Sequence, residues 1–111
     1  VHDEMVALTS HLPHLLAGAF MAFIARPRSA DATRFVGPGL RDFTRIAGSD
    51  PALWRQIFDA NRGAILKELD GFATALSHVA ELLRNNRFDE LQALLTTARD
   101  ARVRLPELPD D

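Results

Sequence analysis

Three of the chain's four histidines, His2, His11 and His14, fall in one short stretch, HDEMVALTSHLPH, at residues 2 to 14. Imidazoles at that density suit metal ligation, proton transfer or hydrogen bonding to a ligand. The spacing weighs against the first. At 100° per residue His2 and His11 point to opposite sides of a helix, whereas His11 and His14 are neighbours one turn apart. Asp3 shares an azimuth with His14 but lies about 16 Å away along the axis. An H-x-x-H pair by itself lacks a third ligand and the glutamate of zinc-protease motifs, so no metal is expected. Pro13 changes the weighing for the other two chemistries. Its ring leaves the Thr9 carbonyl without a helical donor and predicts a kink, opening the backbone beside Ser10, His11 and His14. A kinked polar spot flanked by apolar residues is a setting for a small-molecule site.

The second group with chemical potential is LRDFTRIA, residues 40 to 47. Arg41 and Arg45 lie one turn apart, and Asp42 is within reach of Arg45 at i,i+3. One reading is a solvated ion pair worth less than about 1 kcal/mol. The other is an anion clamp, in which arginine's planar fork grips a carboxylate and the neighbouring aspartate holds the fork in place. Trp54 is the third residue of interest, expected mainly as a packing or interface residue and secondarily as a ligand wall.

Helices must position all of these. With 111 residues, 47% of them hydrophobic, the chain suits one domain with a limited core. A formal charge of -2 with interspersed signs argues against a nucleic-acid partner. The absence of cysteine removes disulfides, thiolate ligands and thiol catalysis, and permits a reducing cytoplasm. The longest apolar run, LLAGAFMAFIA at residues 15 to 25, is too short to span a bilayer, which predicts a buried core helix and no membrane partner. Met5, Leu8, Leu12, Leu15, Ala19, Phe20 and Phe23 form the expected core stripe, and Ala17, Gly18, Met21, Ala22 and Ala25 make the far side apolar too. A helix apolar all round needs two neighbours, the second of which is expected to be another copy of the chain.

Polar residues from Arg26 to Ser29 end this helix, and Gly37-Pro38-Gly39 is a turn that launches LRDFTRIA as a short helix. Ser49-Asp50-Pro51 predicts a helix start, a capping side chain followed by proline at the first helical position. From Trp54 through Ile57, Phe58, Asn61, Ile65, Leu69, Phe72, Leu76 and Val79 to Leu83 the helical spacing holds, predicting one helix of about 50 Å. Asn85-Asn86 ends it, Phe88 to Ala98 carry a last amphipathic helix, and LPELPDD is a frayed tail. No segment alternates like a strand, so the fold class is all-α, a helical bundle with one long helix. The start at Val1, with neither a methionine nor a leader, leads to the expectation that the chain is a piece of a longer protein.

Three ordered blocks, HDxxxAxxSHLPH, the glycine turn with RDxTRIA, and SDPxxWxxIxxxN, are together far more specific than any one of them. They resemble the C-terminal helical domain of the prephenate dehydrogenase family, over nearly the whole chain. The resemblance implies residues 1–105 as a dimerisation and substrate-binding domain, similar to the C-terminal domain of 6-phosphogluconate dehydrogenase, followed by a tail at 106–111. It implies an intertwined homodimer and an N-terminal Rossmann domain, absent from this chain, that binds NAD or NADP and carries the catalytic histidine. The implied reaction is the cytoplasmic oxidative decarboxylation of prephenate or arogenate in tyrosine biosynthesis, with feedback by tyrosine. Arg45 then matches the arginine that grips a prephenate carboxylate, and His14 the second SHLPH histidine near the substrate's polar end. Asp42 belongs to an ionic network around that arginine, and Arg41 to a position that can reach the neighbouring subunit's site. His2, Ser10, His11 and Trp54 are supporting motif positions, and no catalytic, cofactor-binding or metal residue is implied within the chain itself. Leu40, where phenylalanine is common, and Pro38, in a turn often richer in glycine, are mild departures that touch pocket shape. Outside this family the sequence is also compatible with a plain helical interaction module, or with the helical half of another Rossmann-linked dehydrogenase.

Overall fold

The computed structural model describes residues 2–27, 31 and 34–107. Every regular element among them is helical: α1 (His2–Val6), a π-helical turn (Ala7–His11), α2 (Leu12–Ile24), α3 (Pro38–Thr44), a 3-10 turn (Arg45–Gly48), α4 (Pro51–Ala60), α5 (Arg62–Arg84) and α6 (Phe88–Val103). The chain divides into two compact units, Val1–Gly71 and Phe72–Asp111. Ser29, in the polar segment expected to end the first helix, and the last four residues of the LPELPDD tail lie outside the described residues.

The expected kink at Pro13 takes the form of a π turn. Immediately before the proline the backbone widens, and the Leu12 N–H donates to the Ala7 carbonyl, five residues back. Pro13 then sits in the first turn of α2, where its missing N–H costs least. A π turn takes in one more residue than an α turn, so the apolar stripe changes phase across it. The buried residues here are therefore Ala7, Leu12 and Ala17. Of the stripe expected from regular spacing, Met5, Leu8, Phe20 and Phe23 are exposed. Of the residues expected on the far side, Ala17 is buried, Gly18 and Met21 line hollows against the 3-10 turn and α3, which pack on α2, and Ala22 and Ala25 are exposed.

Asp50 caps α4 as expected, accepting from the Ala52 N–H at 3.0 Å, with Pro51 in the first turn. The long helix expected from residue 51 onward is divided at Asn61, whose backbone (φ -125, ψ 31) leaves the helical region. The Asn61 N–H is shared between the carbonyls of Ile57 and Phe58, and its own carbonyl accepts from Ile65 N–H, so α5 restarts at once. The cause is tertiary: the Asn61 amide reaches back to α1 and the π turn, a contact that local spacing does not encode.

In the second unit the C-terminal part of α5 ends at Asn85-Asn86 through a Schellman arrangement. Asn86 adopts φ 55. The Arg87 N–H donates to the Leu82 carbonyl and the Asn86 N–H to that of Leu83. Leu82 is buried, while Leu83, the residue expected from an unbroken stripe, is half exposed. Ion pairs Arg84–Glu81 and Arg87–Glu90 flank the turn.

By length and composition the helical stretch His2–Ile24 is apolar enough to cross a membrane. The uninterrupted apolar run within it is shorter. Its histidines and Pro13 at mid-length, and its contacts with Asn61 and Trp54, place it instead within a folded unit.

Candidate functional site: a histidine and tryptophan cleft

The π turn and Pro13 set the position of both SHLPH histidines. The His14 ring folds back so that Nδ1 donates to the Ser10 carbonyl at 3.1 Å. Ser10 thus contributes its backbone to the site. His11 Nδ1 lies 3.2 Å from the Asn61 side-chain amide nitrogen, which also donates to the Asp3 carbonyl at 2.9 Å.

Trp54, in the first turn of α4, joins the two rings. It stacks on His14 with centroids 3.7 Å apart and planes at 17°, and meets His11 edge-on at 6.1 Å. Phe58, one turn further along α4, extends the aromatic surface at 5.5 Å from Trp54. Beside the stack lies a cleft of about 380 Å³, lined by His14, Gly18, Ile46, Ala47, Ser49, Pro51, Trp54, Arg55 and Phe58. Its volume lies in the range of small-molecule clefts, and its wall is mostly apolar with a few polar groups.

Structure distributes the sequence-predicted residues unevenly around this cleft. His14 and Trp54 line it; His11 supports it from behind through Trp54. Arg45 opens the 3-10 turn whose next two residues, Ile46 and Ala47, form part of the wall, but its own side chain is exposed and is not among the lining groups. Arg41 lines a separate hollow of about 190 Å³ with Met21, Val36, Leu40 and Thr44. Asp42 is exposed and, among the described residues, makes no ion pair with Arg45. The reason is local: Thr44 (φ -99, ψ 2) ends the α-helical geometry before Arg45, so the regular i,i+3 relation is lost. His2 is exposed at the start of α1. Among the described residues no three metal-ligating side chains cluster.

Sequence reasoning did not single out Arg55, Phe58 or Asn61 as site residues. Arg55 and Phe58 follow Trp54 along α4, so their proximity to it was legible, though not their place on the cleft. Asn61 is the last position of SDPxxWxxIxxxN, and only the tertiary contact with Asp3 and His11 shows why asparagine stands there.

Fold and cleft together define an all-α module with an aromatic-walled cleft in its first unit. The chain belongs to the prephenate dehydrogenase family: residues 1–97 match the family described as prephenate dehydrogenase, dimerization domain. It is 33% identical over 107 residues to the cyclohexadienyl dehydrogenase of Zymomonas mobilis, covering 94% of this chain and 36% of that protein. A crystal structure of prephenate dehydrogenase from A. aeolicus in complex with hydroxyphenyl propionate and NAD+ superposes with a TM-score of 0.83 at 36% identity, covering 92% of this chain and 36% of that one. That of Synechocystis arogenate dehydrogenase gives a TM-score of 0.84 at 30% identity, covering 91% and 38%. The chain thus spans roughly a third of the length of these relatives.

Proposed function

We propose that the chain is the helical domain of a cytoplasmic prephenate or arogenate dehydrogenase, supplying both the dimer interface and the substrate-side wall of the active site. The single observation that carries this reading is the cleft built on SHLPH: His14 held by Ser10, stacked on Trp54, and open to a volume that fits a substituted six-membered ring. A hydroxyphenyl carboxylate in the A. aeolicus relative is of matching chemistry.

In the proposed reaction a ring carbon bearing a hydroxyl is oxidised, carbon dioxide leaves the opposite ring carbon, and aromatisation makes the step downhill. NAD or NADP, held by a domain outside this chain, supplies the hydride acceptor. The residues here bind and orient. Trp54 and Phe58 offer apolar faces to the ring. His14, with Nδ1 committed to Ser10, presents Nε2 for the substrate's hydroxyl or another polar group. The Arg45 guanidinium is exposed and, among the described residues, has no carboxylate partner, which leaves its fork available for a substrate carboxylate. Asp42 and Arg41 lie on the same short segment and shape the charge around it. Tyrosine, which shares the hydroxyl and side chain, fits the same cleft as a feedback ligand.

The test is Arg45→Ala in the complete protein. A charge-assisted hydrogen bond is worth about 1.5 to 3 kcal/mol, so the KM for prephenate or arogenate should rise roughly ten- to a hundredfold with turnover largely kept. A collapse of turnover at unchanged KM would mean that Arg45 acts on the transition state instead.

A further inference from the structure

The two SHLPH histidines face opposite kinds of hydrogen-bond partner. His14 Nδ1 lies 3.1 Å from a carbonyl, that of Ser10, which only accepts. That nitrogen must carry a proton, which in the neutral ring leaves the lone pair on Nε2. At His11 the partner is Asn61, and its orientation is fixed independently. The Asn61 atom that touches the Asp3 carbonyl at 2.9 Å must be the amide NH2, because a carbonyl facing a carbonyl would leave both without a donor. The same NH2 lies 3.2 Å from His11 Nδ1, so its second hydrogen points at that nitrogen, which must offer a lone pair. His11 therefore carries its proton on Nε2. Two imidazoles one turn apart are thus held in opposite tautomers, and the one at His11 is chosen by a residue 50 positions further along the chain.

The consequence reaches the cleft through aromatic contacts. His11, oriented by Asn61, meets the edge of Trp54, and Trp54 lies face to face on His14, which lines the cleft. Asn61 also stands where α4 ends, and its side chain ties that end to α1 through Asp3 and to the π turn through His11. No other residue type of similar size supplies two donors there. Aspartate has the shape but no hydrogens, and alanine has neither.

We propose that Asn61 is a positioning residue for the substrate cleft, fixing the His11 tautomer and with it the alignment of the Trp54 and His14 stack. The functional half of this claim rests on the dehydrogenase reading above; the tautomer half does not.

Long-range proton–nitrogen correlation spectra of the histidine-labelled chain, at alkaline pH where imidazoles are neutral, distinguish a protonated ring nitrogen from a bare one. In the wild-type chain His11 should show its proton on Nε2 and His14 on Nδ1. In Asn61→Asp the carboxylate accepts only, so His11 should move its proton to Nδ1. In Asn61→Ala, His11 should average between the two forms. Circular dichroism establishes that each variant is folded, and the aspartate variant, which keeps the shape, guards against loss of fold in the alanine one. A proton on Nδ1 of His11 in the wild-type chain, or an unchanged His11 tautomer in folded Asn61→Asp, overturns the proposal.

In the complete protein, Asn61→Asp should raise the substrate KM roughly three- to tenfold while turnover changes less than about twofold. An unchanged KM alongside a switched tautomer overturns the link from His11 to the cleft. A wild-type protein without dehydrogenase activity overturns the reading of function instead, and the spectra still decide what Asn61 does.

Discussion

His14 is the residue at which the chain's chemistry is most exposed to test. Its ring is held by the Ser10 carbonyl at 3.1 Å and by the face of Trp54, so Nε2 is the ring nitrogen left for a ligand. A group placed in this way binds and orients; it need not be the base that takes up the substrate's hydroxyl proton. On the proposed function, an aromatic product such as tyrosine, lacking the second carboxylate, would rely more on hydrogen bonding by His14 than the substrate would. We predict that His14→Asn in the complete protein relieves inhibition by tyrosine by a larger factor than it lowers turnover. Steady-state rates at graded tyrosine concentrations check this. A roughly thousandfold loss of turnover with inhibition intact would make His14 catalytic instead. At this scale the sequence was legible in residue type more than in arrangement. The clustering of His11, Pro13 and His14 pointed to a site, and SDPxxW pointed to Trp54. That Trp54 would lie flat on His14, and that Arg55 and Phe58 would line the cleft beside it, depended on how α4 crosses the first helix.

Among the elements, ends dictated by local chemistry followed the sequence, and breaks dictated by distant contacts did not. Asp50 with Pro51 starts α4, and Asn85-Asn86 ends α5, because a capping carboxylate, a fixed proline φ and an asparagine that tolerates the left-handed region act within a few residues. The division at Asn61 was not legible, because its side chain bonds to residues 58 and 50 positions back, and although Pro13 announced a kink, its form as a π turn with a phase change was not. Helical spacing cannot register an extra residue in one turn, so Met5, Leu8, Phe20 and Phe23 read as core and are exposed. The turn after α5 gives a clean prediction. With φ 55, Asn86 occupies a region that costs an ordinary L-residue roughly 1 to 2 kcal/mol. Asn86→Ala should lower stability by about 1 kcal/mol, whereas Asn86→Gly should be neutral or slightly stabilising. Urea denaturation of the three proteins under one condition checks the order; equal midpoints for Ala and Gly would show that the turn relaxes to another conformation.

For the whole molecule, burial is the governing fact. Among the described residues only Ala7, Leu12, Ala17, Ile65 and Leu82 are buried apolar side chains, while seventeen large apolar ones are exposed, including Met5 at 59% and Val103 at 79%. A 111-residue chain with so small a core has little to offset its conformational entropy, and apolar surface on this scale marks a surface meant for association. Twelve of the seventeen lie on the first helix, α5 and α6, and both units carry some. We predict a stable two-fold dimer with an interface of more than about 2,000 Å², and a melting temperature that rises with protein concentration. Sedimentation showing a monomer at tens of micromolar would contradict it. The proposed role in a dehydrogenase acting on prephenate or arogenate rests on the family match and the cleft together. The most direct measurement is the absorbance of reduced dinucleotide formed by the complete protein when prephenate or arogenate is supplied with NAD+ or NADP+. Substrate-dependent reduction of at least one dinucleotide, with release of carbon dioxide, is expected. A folded, dimeric complete protein that reduces neither dinucleotide with either substrate would contradict it.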